Sequence, residues 1–198
     1  VAADDSGIGP AATSLRLRWL VIIVAIMALL TAGWPLLNAM VANRHGLAAG
    51  TTLKVGASNS SSAQVTVGHG WSVLPAQSNP RHEYVLRRGA VRLSIAYVAL
   101  AGTHQVPQLW SGLRAVIQIS YPGASLSQPA SMLEAHGYKA FTGRVVDNHM
   151  MGTVTAVPAP SGQYAIEMIT LAPRGVSPVM RIAALRIMRS LLFAGPPR

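Results

Sequence analysis

The chain has 198 residues, 51% of them apolar and only 11% charged, with 16 Lys+Arg against 6 Asp+Glu and no cysteine. That length holds one ordinary domain and an appendage, and the missing cysteines exclude disulfides and thiolate chemistry. The charges before residue 19 cancel, so the whole +10 lies in residues 43–198, which draws that part toward anionic lipid, acidic polymer or acidic protein.

Residues 1–18 read as a short N-terminal tail, and residues 19–42 as a transmembrane helix. No charge occurs between Arg18 and Arg44, and Trp19 to Val41 contains eleven Leu, Ile or Val residues. As a helix this run is about 34 Å long, against a hydrocarbon core of roughly 30 Å. A cleaved signal would have a shorter apolar core and a small-x-small site soon after it. A helix buried in a soluble core would show a polar face. Neither feature is present, so an uncleaved span is favoured. Arg16, Arg18, Trp19 and Trp34 are the expected interface residues. The short tail and the long following domain suit a signal-anchor whose bulk faces the extracytoplasmic side.

Residues 43–62, "NRHGLAAGTTLKVGASNSSS", are small and polar and read as a flexible linker. From residue 63 the pattern alternates. "AQVTV" (63–67) and "WSVLP" (71–75) are short strands around a Gly-His-Gly turn. "HEYVLRR" (82–88) and "AVRLSIAYVAL" (90–100) form a hairpin about Gly89, with Val91, Leu93, Ile95 and Tyr97 on one face. In 103–120, Val106, Leu109, Trp110, Leu113, Val116 and Ile117 follow helical spacing, with Thr103 as cap and Pro107 in the first turn. Residues 121–131 read as loop.

Strand-like runs follow at 136–147, 150–158 and 163–173. Residues 177–193 then read as a helix capped by Ser177. Its Arg181, Arg186 and Arg189 fall within about 140° of arc. The expected architecture is α+β. It has an N-terminal transmembrane helix, then residues 63–198 as an antiparallel sheet of about six strands covered by two helices, an α/β/α sandwich.

The opening "VTVGHGWSVLP" (65–75), the hairpin "YVLRRGAVRLSIAYV" (84–98), one central helix and the closing "MRIAALRIMRSLLF" (180–193) together resemble the PsbP-like family. The layout also resembles a single-pass bacterial envelope protein of actinobacterial type. The resemblance implies a binding or assembly-assisting module and transfers no catalytic residue.

The residues able to carry chemistry point the same way. The six histidines lack the i, i+4 spacing of a zinc pair, and there is no cysteine to help. After the tail the acids are Glu83, Glu134, Asp147 and Glu167. They are too few and scattered for a carboxylate pair, and no G-x-S-x-G elbow occurs. No phosphate loop or cofactor motif is present. Nucleic acid is disfavoured because aromatics are sparse and not interleaved with basic residues.

What remains is basic: Arg87 and Arg88 at the hairpin, and Arg181, Arg186 and Arg189 on the last helix. These are candidate contacts to an anionic partner. The favoured expectation is a membrane-anchored, non-enzymatic module, accessory to a membrane or envelope protein complex. A receptor for anionic lipid or cell-wall polymer ranks second, and a hydrolase with a site unreadable from sequence ranks third.

Overall fold

The computed structural model describes residues 44–100, 106–133 and 136–194. The elements, in chain order, are β1 (His45–Gly46), β2 (Thr51–Gly56), β3 (Ser62–Val67), β4 (Ser72–Val73), β5 (Glu83–Arg88) and β6 (Val91–Ala99). They continue with α1 (Val106–Ser120), β7 (Ser125–Leu126), β8 (Ala130–Leu133), β9 (Lys139–Val146), β10 (Met150–Pro158) and β11 (Tyr164–Pro173). The last are α2 (Pro178–Arg189) and β12 (Leu192–Phe193).

Two-residue periodicity in β6 and β11 organises the centre. These strands pair antiparallel, Thr170 with Leu93 and Met168 with Ile95. A nine-stranded sheet grows outward from them in the order β1-β4-β5-β6-β11-β10-β9-β7, and β8 also pairs with β9. All its ladders are antiparallel. A second sheet has the order β12-β3-β2.

Each face of the large sheet covers a separate apolar cluster. On one face α1 places Trp110, Leu113 and Ile117 against Phe141, Val145, Val154 and Leu171. On the other, Leu93, Ile95, Ile166 and Met168 meet Leu53, Val55 and Val65 of the small sheet and Ala184 and Ile187 of α2. The helix α2 is amphipathic, and it buries Ala183, Ala184, Ile187 and Met188. Ser190 ends it: its Oγ donates to the Ile187 carbonyl at 2.7 Å and accepts the Thr66 N–H at 2.8 Å.

The expected α/β/α sandwich of about six strands is therefore corrected. The described chain is mostly strand, in two sheets, with two helices. One face carries α1, while the other is shared between α2 and the three-stranded sheet. The physical reason lies at both ends of the domain. Residues 51–56, expected in a linker, pair along the whole of β3. Residues 192–193, expected as helix, pair with Gln64 and Ala63 on the other edge of β3. Part of 121–131, expected as loop, forms β7 and the start of β8.

Among the described residues no helix is long and apolar enough to cross a membrane. The expected span at 19–42, with Arg16, Arg18, Trp19 and Trp34, lies outside the described residues, as does the expected cap Thr103.

Candidate functional site

The basic residues singled out from the sequence separate into two places. Arg87 and Arg88 end β5, where the Arg87 Nε donates to the Gly89 carbonyl at 2.9 Å. The Gly89 turn has φ +56°, and a Cβ there would stand 3.1 Å from Met180 Cε, so the hairpin tip packs against the first turns of α2. On α2, Arg186 and Arg189 are exposed and lie on its outer side. Arg181 turns toward the sheet, where its Nη1 lies 3.8 Å from Met151 Sδ.

Arg181 borders a groove of about 330 Å³ between α2 and the sheet. The floor of this groove is built by register. Arg144 of β9 stands opposite Thr153 of β10, and Thr153 stands opposite Thr170 of β11. Partners in an antiparallel ladder project to the same face, so the three side chains form one row. Met151 and Ala172 flank the row, and Pro178, Ile182 and Leu185 of α2 close over it. Thr170 is only 7% exposed, and its Oγ1 has no hydrogen-bond partner among the described residues. Among the described residues no acidic residue lines the groove.

Sequence reasoning found Arg181 and missed Arg144, Thr153 and Thr170. A signal was present. "GRVVD", "GTVTAV" and "MITLA" each carry a polar residue at an alternate position of an apolar strand, which a one-face-apolar reading assigns to solvent.

The opposite face carries a second groove of about 590 Å³, between α1 and strands β6 and β11, lined by Val98, Leu109, Leu113 and Val116. Glu167 rises into it from the middle of β11. Burial among these apolar neighbours pushes the Glu167 carboxyl up to about 7. The other two described acids are engaged locally: Glu83 accepts the Ser94 hydroxyl, and Asp147 accepts the Asn148 N–H. Ser111 Oγ donates to the Gln108 carbonyl one turn back. Among the described residues no group of three His, Asp or Glu side chains is arranged to hold a metal. Trp110 is a core residue whose Nε1 donates to the Ser127 carbonyl at 3.0 Å, and Trp71 is buried at 1% exposure.

No protein-family model matches this chain, and no curated protein matches it. Solved structures do. The cyanobacterial PsbP protein CyanoP of Synechocystis sp. PCC 6803 aligns with a TM-score of 0.52 at 12% identity, over 75% of this chain and 95% of that one. The Ran-binding protein Mog1p of Saccharomyces cerevisiae aligns with a TM-score of 0.49 at 9% identity, over 67% of this chain and 90% of that one. The likeness to CyanoP shows a PsbP-like fold, which is the level at which the resemblance read from the sequence holds.

Proposed function

We propose that the protein is a non-enzymatic binding module that presents the outer face of α2 to an acidic protein surface. In this reading an N-terminal membrane tether holds it on the extracytoplasmic side, as an accessory subunit of a membrane or envelope complex. One observation carries the binding role. Val179, Ile182 and Leu185 are 66%, 48% and 41% exposed on a single helix, the last two along the edge of the groove, and Arg186 and Arg189 are interspersed with them. Large apolar side chains left in water beside arginines are the composition of an interface core and its rim. The helix has no acid of its own, so the complementary surface is negative. The tether rests on the uncharged run between Arg18 and Arg44.

The test is co-purification of the intact chain from its own membranes in mild detergent, beside a V179D/R186E/R189E variant. These three side chains are exposed, so the variant keeps its far-ultraviolet circular dichroism. A complex of fixed composition that the variant loses supports the reading. Migration of the unaltered chain as a lone small species sinks it. If the substitutions instead abolish salt-sensitive pelleting with phosphatidylglycerol vesicles and no protein is lost, the surface binds lipid. Release by carbonate, or protection of the C-terminal domain from protease added outside intact cells stripped of their wall, would remove the tether and its orientation.

A further inference from the structure

We propose that the groove between α2 and the sheet is a binding site for a small amphipathic anion. Its single carboxylate or phosphate head is held by Arg144 and Arg181, and its apolar body lies against Met151, Ile182 and Leu185. The site shares Ile182 and Leu185 with the exposed side of α2 used above, but Val179, Arg186 and Arg189, the residues altered in that test, do not line it.

Three observations carry the proposal. The first is charge. Two guanidinium groups border one groove, one from β9 and one from α2, and among the described residues no carboxylate lines it. Both arginines are exposed, and an anion in the groove supplies a counter-charge that its described lining residues lack. A guanidinium also offers a planar fork of N–H donors suited to carboxylate or phosphate oxygens.

The second is the orphan hydroxyl. Thr170 Oγ1 is buried and lacks a partner, although nearly all buried polar side-chain atoms in proteins have one. It lies in the Arg144–Thr153–Thr170 row, beneath the helix that carries Arg181. A ligand oxygen in that row takes its hydrogen bond.

The third is size and lining. The space of about 330 Å³ lies at the low end of ligand pockets. At about 30 Å³ per water-sized group it holds on the order of ten non-hydrogen atoms. Apart from the arginines and threonines, the described residues of its walls are apolar. An ion without an apolar body would leave those walls wet.

The test uses the full 198-residue chain in neutral phosphatidylcholine nanodiscs, with methyl-labelled threonine read by NMR. Hexanoate, hexyl phosphate, hexanol, hexylamine, acetate and inorganic phosphate are titrated in turn, with empty nanodiscs as the partition control. Hexanoate or hexyl phosphate is expected to move the Thr170 and Thr153 methyl signals saturably, and the tighter of the two identifies the head group. The variants R144A and R181A alter exposed side chains and are each expected to weaken binding about tenfold or more. T170V keeps the shape and removes the hydroxyl. It is expected to raise the melting temperature of the ligand-free protein while weakening binding, followed at Thr153, about fivefold. A Thr170 that is merely structural does not give that pair of opposite signs.

The proposal is overturned if hexanol or hexylamine binds as tightly as the anions. It is equally overturned if acetate or inorganic phosphate matches its hexyl form, if both arginine variants bind unchanged, or if no anion saturates. Loss of the protein partner in the V179D/R186E/R189E variant bears on the outer face alone, so either reading can fail without the other.

Discussion

The Tyr164 hydroxyl donates to the Ser62 carbonyl at 2.9 Å, across 102 residues of chain, and joins the first residue of β11 to the first residue of β3. The Tyr164 ring stacks on Tyr97 with centroids 5.1 Å apart and meets Phe193 edge-on at 5.7 Å. The large sheet, the small sheet and the C-terminal strand thus meet on one side chain. The Ser62 carbonyl also accepts the Ala194 N–H at 2.8 Å, so it keeps a partner when the phenol is removed. Tyr164→Phe is accordingly expected to lower stability by about 1 kcal/mol, and Tyr164→Ala by about 3–5 kcal/mol. Urea unfolding followed by circular dichroism measures both, with an unchanged denaturant slope for the first.

Val55 separates a strand from a tether. It is fully buried in β2 against the large sheet. Val55→Ala is expected to lower stability by about 2 kcal/mol, through two lost methyl groups and the space they leave. Lys54→Ala, on the exposed side of the same strand, is expected to stay within about 0.5 kcal/mol. If the two substitutions have equal effects in thermal unfolding, residues 51–56 are not part of the core.

Gly152 is required where β10 passes β11. A Cβ at this position would stand 1.9 Å from the Thr170 carbonyl oxygen, a backbone atom that cannot swing away. Gly152→Ala therefore has to spread β10 from β11 and is expected to destabilise by about 3 kcal/mol or more. Gly112, where a Cβ meets nothing within 4 Å, lies within α1, and Gly112→Ala there is expected to stabilise by about 0.5–1 kcal/mol. The pair is compared by midpoint of chemical denaturation.

Glu167 makes stability depend on pH. Its folded carboxyl is raised from 4.5 to about 7 by burial. Between those values the folded state holds a proton that the unfolded state has released. Stability is therefore greatest below about pH 4.5 as far as this group is concerned, and it falls as pH rises through 7. The loss is on the order of 2–3 kcal/mol, from about 1.4 kcal/mol per unit less some screening by solvent. Glu167→Gln is expected to flatten this part of the profile and to be the more stable protein at pH 8. Melting temperatures at pH 5, 6, 7 and 8 test it, and parallel profiles for the two proteins contradict it.

The strands whose inward residues alternate over many positions were readable in the chain. Val91, Leu93 and Ile95 mark β6 without help from any other segment, because a period of two is a local property. The same holds for the helical spacing of Leu109, Trp110, Leu113 and Ile117. Other elements gave no such signal. β2 sends only Leu53 and Val55 fully inward and is followed by "ASNSSS", so it reads as linker. β12 is two residues of an apolar run and reads as more helix, until Ser190 bonds Thr66 from 124 residues away and ends it. β7 and β8 are short and mostly exposed, and they exist because β9 offers them an edge.

The candidate site divides the same way. Arg181 was legible, since a basic stripe follows from 100° per residue along one helix. The pairing of Arg144 with Thr153 and Thr170 was not, because it depends on the register of three strands and a one-residue slip would turn each side chain to the other face. Composition and periodicity by themselves determined a basic domain built of antiparallel strands and two helices. Tertiary pairing decided that there are two sheets, which face α2 covers, and that two arginines and an unsatisfied hydroxyl share one groove. The reason is range: side-chain alternation is written within a strand, whereas register is set by contacts between different segments, from neighbours in the chain such as Arg144 and Thr153 to residues more than a hundred positions apart such as Thr66 and Ser190.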